Sequence, residues 1–321
     1  MGLLLHALRC LGHQHWIPRG RDRIIRLLAD PDTIKPTPFR VPFFGQVYEG
    51  TLSNFIDWSV YFYGAYSRYE LDLLADLCTL VPPGRQPHLL DVGANGGHHT
   101  LFMAGRCDRV DAFEPFPPAI ALLKARLDTN GIGHCHVHPV GLSNHTGTGT
   151  FNPPSGSNPG TGYFDIESTS SPGVIPLAQS LPLVRGDSYL DAQGVPATDI
   201  LKMDVEGAEA AVLAGLAGRL RRDRPAILIE MSDRSRRAFG DVAGFRAALY
   251  ADAVILSVTP VSVSGTYRLS RFDFQQAAEI LVLPAEYLQA PKGRLLHQIA
   301  AILPASGGLH PEGCRRTVPE I

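Results

Sequence analysis

Asp91, Glu114, Asp204 and Glu230 each stand at or next to the carboxyl end of a short apolar run, in HLLDV, VDAFE, ILKMD and AILIE. Runs of this length and composition read as buried strands. If the strands are parallel, all four carboxylates line one rim of a sheet, where open α/β sheets bind ligands. One acid at a strand end is ordinarily a turn former or a helix cap. Four on one rim are harder to explain as structure and point to a ligand site. Asp91 is followed by a glycine turn in LLDVGANGGHHT, where Gly93, Gly96 and Gly97 allow a sharp turn and a close backbone approach. Glu114 follows one helix and one strand later, placed to accept hydrogen bonds from two vicinal hydroxyls of a ribose. Asp204 and Glu230 belong to the other half of the rim, where an acceptor would lie.

The glycine turn alone is shared by two cofactor classes. A dinucleotide fingerprint counted from Gly93 would need glycines where this chain has Asn95 and His98. Without the second glycine a pyrophosphate cannot approach the helix start closely, which argues against NAD or FAD. The Asp91 carboxylate beside the turn suits a cationic ligand end, so S-adenosylmethionine fits. An NAD(P)-dependent oxidoreductase is the alternative, and a non-catalytic nucleotide-binding module on the same fold is a third reading. Methyl transfer to a hydroxyl needs a group that takes the hydroxyl proton, and a carboxylate serves. Asp204 is the first candidate and Glu230 the second. The paired acids could instead hold a divalent cation that acidifies the hydroxyl; the spacing does not decide. In DVEGAE, Glu206 is a further site candidate, whereas Glu209 reads as an acid favoured at a helix start. His134, His136 and His138 alternate as on one strand face, and an edge strand explains them better than a metal. His98 and His99 follow the turn, with ligand contact and helix packing equally open. There is no G-x-S-x-G elbow and no P-loop to support a hydrolase or kinase.

These residues need a scaffold, and the chain is long enough for one large α/β domain. The periodicity predicts a helix over 69–80, a strand over 88–92, a helix near 97–106, a strand over 109–113 and a helix from Pro117 to the Asn130–Gly131 stop. A strand near 136–140 follows. A Gly/Ser/Pro/Asn-rich stretch, 152–173, reads as a lid or as disorder. Strand 199–203, one helix burying Val212, Leu213, Leu216 and Leu220, strand 226–229, helix 242–250 and a closing antiparallel strand pair complete the pattern. Alternating strands and helices predict a largely parallel sheet. We divide the chain into an N-terminal helical and strand appendage (1–60), a catalytic domain (61–290) and a C-terminal tail (291–321). The net charge of −2 and the lack of a dense basic run argue against nucleic acid. The apolar start MGLLLHALRCLGHQHW is broken by histidine and arginine and reads as a packed helix, with no membrane partner. Five scattered cysteines without metal spacing fit a reducing, cytoplasmic setting.

Three segments together, LLDVGANGGHHTLFMA (89–104), DAFEPFP (111–117) and LKMDVEGAEAAVLAGL (201–216), resemble the FkbM-type class I methyltransferases. K-x-D-V-E-G-A-E is the most specific part. The likeness extends to YGAYSRYE (63–70), VGLSNHTGTGTF (140–151), PAILIEM (225–231) and EILVLP (279–284). The resemblance implies a Rossmann-like α/β fold with a seven-stranded, mostly parallel sheet of order 3-2-1-4-5-7-6 and helices on both faces. It implies S-adenosylmethionine as methyl donor and, usually, O-methylation of a hydroxyl on a sugar, glycan or secondary metabolite. By position, Asp91, Gly93, Asn95 and Gly96 would hold the methionine end and Glu114 the ribose. Gly141, Leu142 and Ser143 would flank the adenine, and Glu70 would approach from the preceding helix.

Overall fold

The computed structural model describes residues 2–14, 20–82, 84–154, 162–164, 178–261, 266–289 and 294–302. The chain opens with helices α1 (Gly2–Gly12) and α2 (Arg21–Ala29), a hairpin of β1 (Pro38–Phe43) and β2 (Gln46–Thr51), and helices α3 (Phe55–Tyr63) and α4 (Arg68–Cys78). Phe44 and Gly45 both take positive φ (48° and 87°), as a two-residue hairpin turn matching strand twist requires. Asn54 starts α3 by accepting the backbone N–H groups of Ile56 (3.0 Å) and Asp57 (3.1 Å). Leu5, Leu8, Ile25, Leu52, Trp58 and Phe62 form a core of their own beneath α1 and α2. Helix α3 runs across the 60/61 boundary drawn from the sequence.

The central layer follows. Its first half is β3 (His88–Val92), α5 (His98–Ala104), β4 (Arg109–Phe113), α6 (Pro117–Thr129) and β5 (Cys135–His138). A second, smaller sheet is built from β6 (Gly141–Ser143), β7 (Gly147–Asn152), β8 (Tyr163–Phe164) and β9 (Gln179–Arg185), in the order β6-β9-β7-β8. The chain returns through α7 (Gly186–Ala192), β10 (Ile200–Met203), α8 (Glu209–Gly215), α9 (Ala217–Asp223), β11 (Ala226–Glu230), α10 (Asp233–Phe239) and α11 (Val242–Ala247). It closes with β12 (Ala253–Pro260), β13 (Tyr267–Arg271), β14 (Glu279–Pro284) and α12 (Arg294–Ile302). The main sheet runs β13-β12-β14-β11-β10-β3-β4-β5. It is parallel from β11 to β5 and antiparallel at the β14, β12 and β13 end. Strands β3 and β10 are buried at every residue. Sheets covered on both faces need this continuous apolar run rather than alternation.

Several expectations change. The sheet has eight strands among the described residues, not seven: β13 is added outside β12 at the antiparallel edge, and lies between the two late strands in sequence. The single helix expected to bury Val212, Leu213, Leu216 and Leu220 is two, α8 and α9, meeting at Leu216. Helix α7 was not anticipated. Residues 294–302 of the C-terminal tail form α12, which buries Leu295, Leu296 and Ile299 in the main core. Of the glycine-rich 152–173 stretch, residues 155–161 and 165–173 lie outside the described residues. β5 is an edge strand, as the histidines led us to expect, but His138 is buried and has an acid partner. Its Nε2 and that of His88 each lie 2.7 Å from an oxygen of the fully buried Asp111, which also accepts from Arg109. Burial would raise the Asp111 carboxyl, but the hydrogen bonds of His138, His88 and Arg109 outweigh it and hold it far below the carboxylate range. Asp111 sits mid-strand, so no strand-end pattern reveals it.

Candidate active site

The glycine turn is fixed by its surroundings. The N–H groups of Gly93 and Ala94 both donate to the Phe113 carbonyl at 3.0 Å, which ties the turn to the end of β4. Gly93 has φ +82°, and a Cβ there would lie 1.8 Å from the Asp204 carbonyl oxygen. Only glycine lets the ends of β3 and β10 approach this closely. A cavity of about 120 Å³ opens over the turn, lined among others by Tyr66, Gly96, His99, Lys202, Asp204 and Glu230. A second of about 70 Å³ adjoins it, lined by Glu114, Phe116, Phe151, Phe164 and Val205. Gly93, Asn95, Asp204 and Glu206 border both, so the two form one bent trough along the carboxyl ends of β4, β3, β10 and β11.

The charges in this trough are ordered. Asp91 is completely buried; its Oδ2 accepts the Thr100 hydroxyl at 2.6 Å, while Oδ1 has no hydrogen-bond partner. Lys202 Nζ stands 3.8 Å from Asp91 Oδ1 and 3.4 Å from Asp204 Oδ2. Burial would lower the Lys202 ammonium, but Asp204, Asp91, Glu70 and Glu230 together push it above the usual lysine range. It is a permanent cation under a ring of acids. Asp204 is half-buried and Glu230 exposed at the rim. The Asp204 charge, then burial, pushes the Glu230 carboxyl well up, while Lys202 outweighs burial and holds Asp204 down. The two carboxyls are thus pushed apart, Glu230 towards the protonated form and Asp204 towards the ionised one. Burial, with Asp204 and Glu209 nearby, lifts Glu206 to about 7. Its backbone is left-handed (φ 53°), a strained state for a non-glycine residue.

Of the other residues expected at the site, Glu114 closes β4, and its two oxygens accept the N–H groups of Asn95 (2.9 Å) and Phe116 (2.8 Å). Burial lifts its carboxyl to about 7 against the pull of those bonds. Glu70 is buried on α4 with Oε2 3.1 Å from His99 Nε2, so His99 rather than Glu70 meets the cavity. Gly141, Leu142 and Ser143 form β6 and line neither cavity; aromatic residues from the second sheet, Phe151 and Phe164, do. Glu209 is the expected helix-start acid: it accepts the N–H groups of Val205 and Gly207 at 3.2 Å. Sequence reasoning passed over Lys202, whose signal was a lysine inside an otherwise apolar buried strand. It also passed over Tyr66, Asn54, Asp57 and Arg126, which come from elements remote in sequence. Burial first, then Glu70, Asp204 and Glu230, pushes the Tyr66 phenol up.

These features form the strand-end crevice of a Rossmann-like class I methyltransferase fold. Asp91 Oδ1, buried without a hydrogen bond beneath a turn with no room for a side chain and 3.8 Å from Lys202 Nζ, fits as counter-charge to a small cationic ligand end. The sequence model of the FkbM methyltransferase domain matches residues 91–253, just over half of the chain. The chain belongs to the FkbM methyltransferase family. Among solved structures it is similar to the FkbM methyltransferase of Methylobacillus flagellatus KT, at 19% identity and TM-score 0.40, over 61% of this chain and 43% of that one. It thus spans less than half of that relative's length. It is also similar to an rRNA methylase from Streptococcus thermophilus (14% identity, 67% of this chain and 93% of that one, TM-score 0.38). A third is the tRNA (uracil-54, C5)-methyltransferase of Pyrococcus abyssi in complex with S-adenosyl-L-homocysteine (12%, 76% and 43%, TM-score 0.38). Functionally curated proteins give no match. Among the described residues no helix is long and apolar enough to cross a membrane, and no group of three His, Cys, Asp or Glu side chains is arranged to hold a metal ion.

Proposed function

We propose that this chain transfers a methyl group from S-adenosylmethionine to a hydroxyl of a sugar, glycan or secondary-metabolite acceptor. The observation that carries this is the Asp204–Glu230 pair lining a cavity over the Gly93 turn, with Lys202 Nζ 3.4 Å from Asp204 Oδ2. The cofactor, when bound, supplies an electrophilic methyl on a cationic sulfur. The Gly93 turn would follow its methionine chain, with the buried Asp91 beneath the turn as counter-charge to the ammonium end. Glu114 would accept from the ribose hydroxyls, and Phe116, Phe151 and Phe164, which line the same cavity, would hold the adenine. Asp204 would accept the acceptor's hydroxyl proton as the new C–O bond forms and the methyl's C–S bond breaks, with S-adenosylhomocysteine leaving as the neutral thioether. The oxygen becomes strongly acidic as it gains the methyl, so a carboxylate kept ionised by Lys202 is basic enough. Glu230, whose carboxyl is raised by the Asp204 charge, would in its protonated form donate to Asp204 and hold it in place.

Calorimetric titration with S-adenosylhomocysteine and, separately, NADH tests the cofactor class. Micromolar binding of the first and none of the second is expected; NADH binding alone would replace this reading with an oxidoreductase. The pH dependence is a finer check. A carboxylate accepts ribose hydrogen bonds better than a carboxylic acid, and Glu114 titrates at about 7. S-adenosylhomocysteine affinity should therefore rise from about pH 6 to about pH 8 and then level off. Glu114→Gln should flatten that rise and weaken binding by about 1.5–3 kcal/mol. Glu206→Gln should leave the rise in place. For the ligand-free protein the sign is opposite: Glu114 is raised from 4.5 to about 7, so its contribution to stability is complete below pH 4.5 and is lost as pH climbs through 7.

A further inference from the structure

The YGAYSRYE segment is not used by the cofactor trough apart from Tyr66 and the Glu70–His99 approach, yet it forms a cleft of its own. A cavity of about 370 Å³ is walled by Tyr63, Tyr66, Ser67, Tyr69, Pro260 and Val261. That is within the range of about 300–1,000 Å³ usual for small-molecule clefts. Tyr66 lines this cleft and the reaction cavity alike, so the two are separated by one side chain. Ser67 holds a left-handed backbone (φ 39°) at the start of α4, a strain that concentrates at ligand sites.

The wall also specifies the chemistry. Arg68 is the one cation among the cleft-lining residues; its guanidinium is engaged by Asp72 at 2.9 Å and stacked over Phe44. Next door, Asp204, Glu206 and Glu230 face the mouth of the reaction cavity. The cations there are already engaged, Lys202 between Asp91 and Asp204 and Arg126 by Asp57. A phosphorylated or carboxylated acceptor would meet like charge without compensation. Three half-buried tyrosines line the cleft; the Tyr63 hydroxyl donates to Asp22 at 2.6 Å, so Tyr66 and Tyr69 are left to pair ring faces with hydroxyl tips, which suits a ring with C–H faces and a hydroxyl periphery.

We infer that this tyrosine-walled cleft is the acceptor subsite, and that it takes an uncharged saccharide ring whose reacting hydroxyl passes Tyr66 to reach Asp204. The inference rests on the methyl-transfer reading above. Val261 is half exposed at the cleft edge, so Val261→Trp fills the cleft without touching the core. The full chain, saturated with S-adenosylhomocysteine, is examined by saturation-transfer NMR against uncharged methyl glycosides, methyl glucuronide, glucose 6-phosphate and cyclohexanol. Wild type should bind uncharged glycosides and not the two anions. Val261→Trp should weaken the glycosides by about tenfold or more through steric exclusion while keeping S-adenosylhomocysteine affinity within about twofold. Glycoside binding unchanged by Val261→Trp would overturn the inference. So would cofactor binding with no glycoside signal, equal binding of the anions, or binding of cyclohexanol alone. Failure of wild type to bind S-adenosylhomocysteine would instead overturn the cofactor reading beneath it.

Discussion

Asp204→Asn is expected to lower methyl transfer by about 10²–10⁴-fold, the range that a positioned general base contributes. Asparagine keeps the size and hydrogen-bonding reach of the side chain but cannot accept a proton, and it removes the charge that holds Lys202 and Glu230 in their present states. S-adenosylhomocysteine affinity should stay within a few fold, because Asp91 and Glu114 make the proposed cofactor contacts. The neighbouring substitution gives the contrast. The Asp204 charge and burial both raise the Glu230 carboxyl, so the uncharged Glu230→Gln should cost less than about tenfold. The measurement is transfer of a labelled methyl from S-adenosylmethionine to the glycoside panel, with cofactor titration of each variant as the control. Unchanged turnover in Asp204→Asn, or a larger loss in Glu230→Gln, would remove Asp204 as the base.

The strand-end acids were legible because a strand's end is local: an apolar run and the residue that closes it lie within five positions. The same holds for the glycine turn and the helix-start role of Glu209. What escaped depends on contacts across the chain. Asp111 lies mid-strand in a run that reads as apolar, and only the assembled sheet brings His88 and His138 to it. β13 was invisible because YRLSR is short and carries two arginines, and its strand identity comes from pairing with β12. The placing of residues 141–143 at the adenine followed position in the sequence. Assembly turns that segment into the second sheet and puts Phe151 and Phe164 on the trough instead. Lys202 was readable in principle, since a lysine on a fully buried strand needs partners, and its partners are the acids already singled out.

Arg126 shows most clearly how the N-terminal segment is built into the site. It lies on α6, 2% exposed, and three directions of its guanidinium are used. Nη2 donates to Asp57 Oδ1 at 2.6 Å, Nη1 to the Gly96 carbonyl at 2.6 Å and Nε to the Glu49 carbonyl at 3.0 Å, while the Tyr48 ring stacks 4.0 Å away. One side chain thus joins the hairpin, α3 and the glycine turn, and Asn54, Ile56 and Asp57 line the reaction cavity. Arg126→Met should destabilise the protein by about 3–5 kcal/mol, because it leaves the Asp57 carboxylate buried without its counter-charge. Tyr48 and the Thr51 N–H still donate to Asp57, at 2.9 Å each, but two neutral donors do not replace a cation. Asp57→Asn in the same chain should recover much of the loss, since the uncompensated charge is then gone. Urea unfolding of the two single variants and the double variant measures this coupling. S-adenosylhomocysteine affinity should fall in Arg126→Met and stay low in the double variant, because neither restores the grip on the Gly96 carbonyl. A double variant no more stable than Arg126→Met would mean that shape, and not charge, ties the N-terminal segment to the turn.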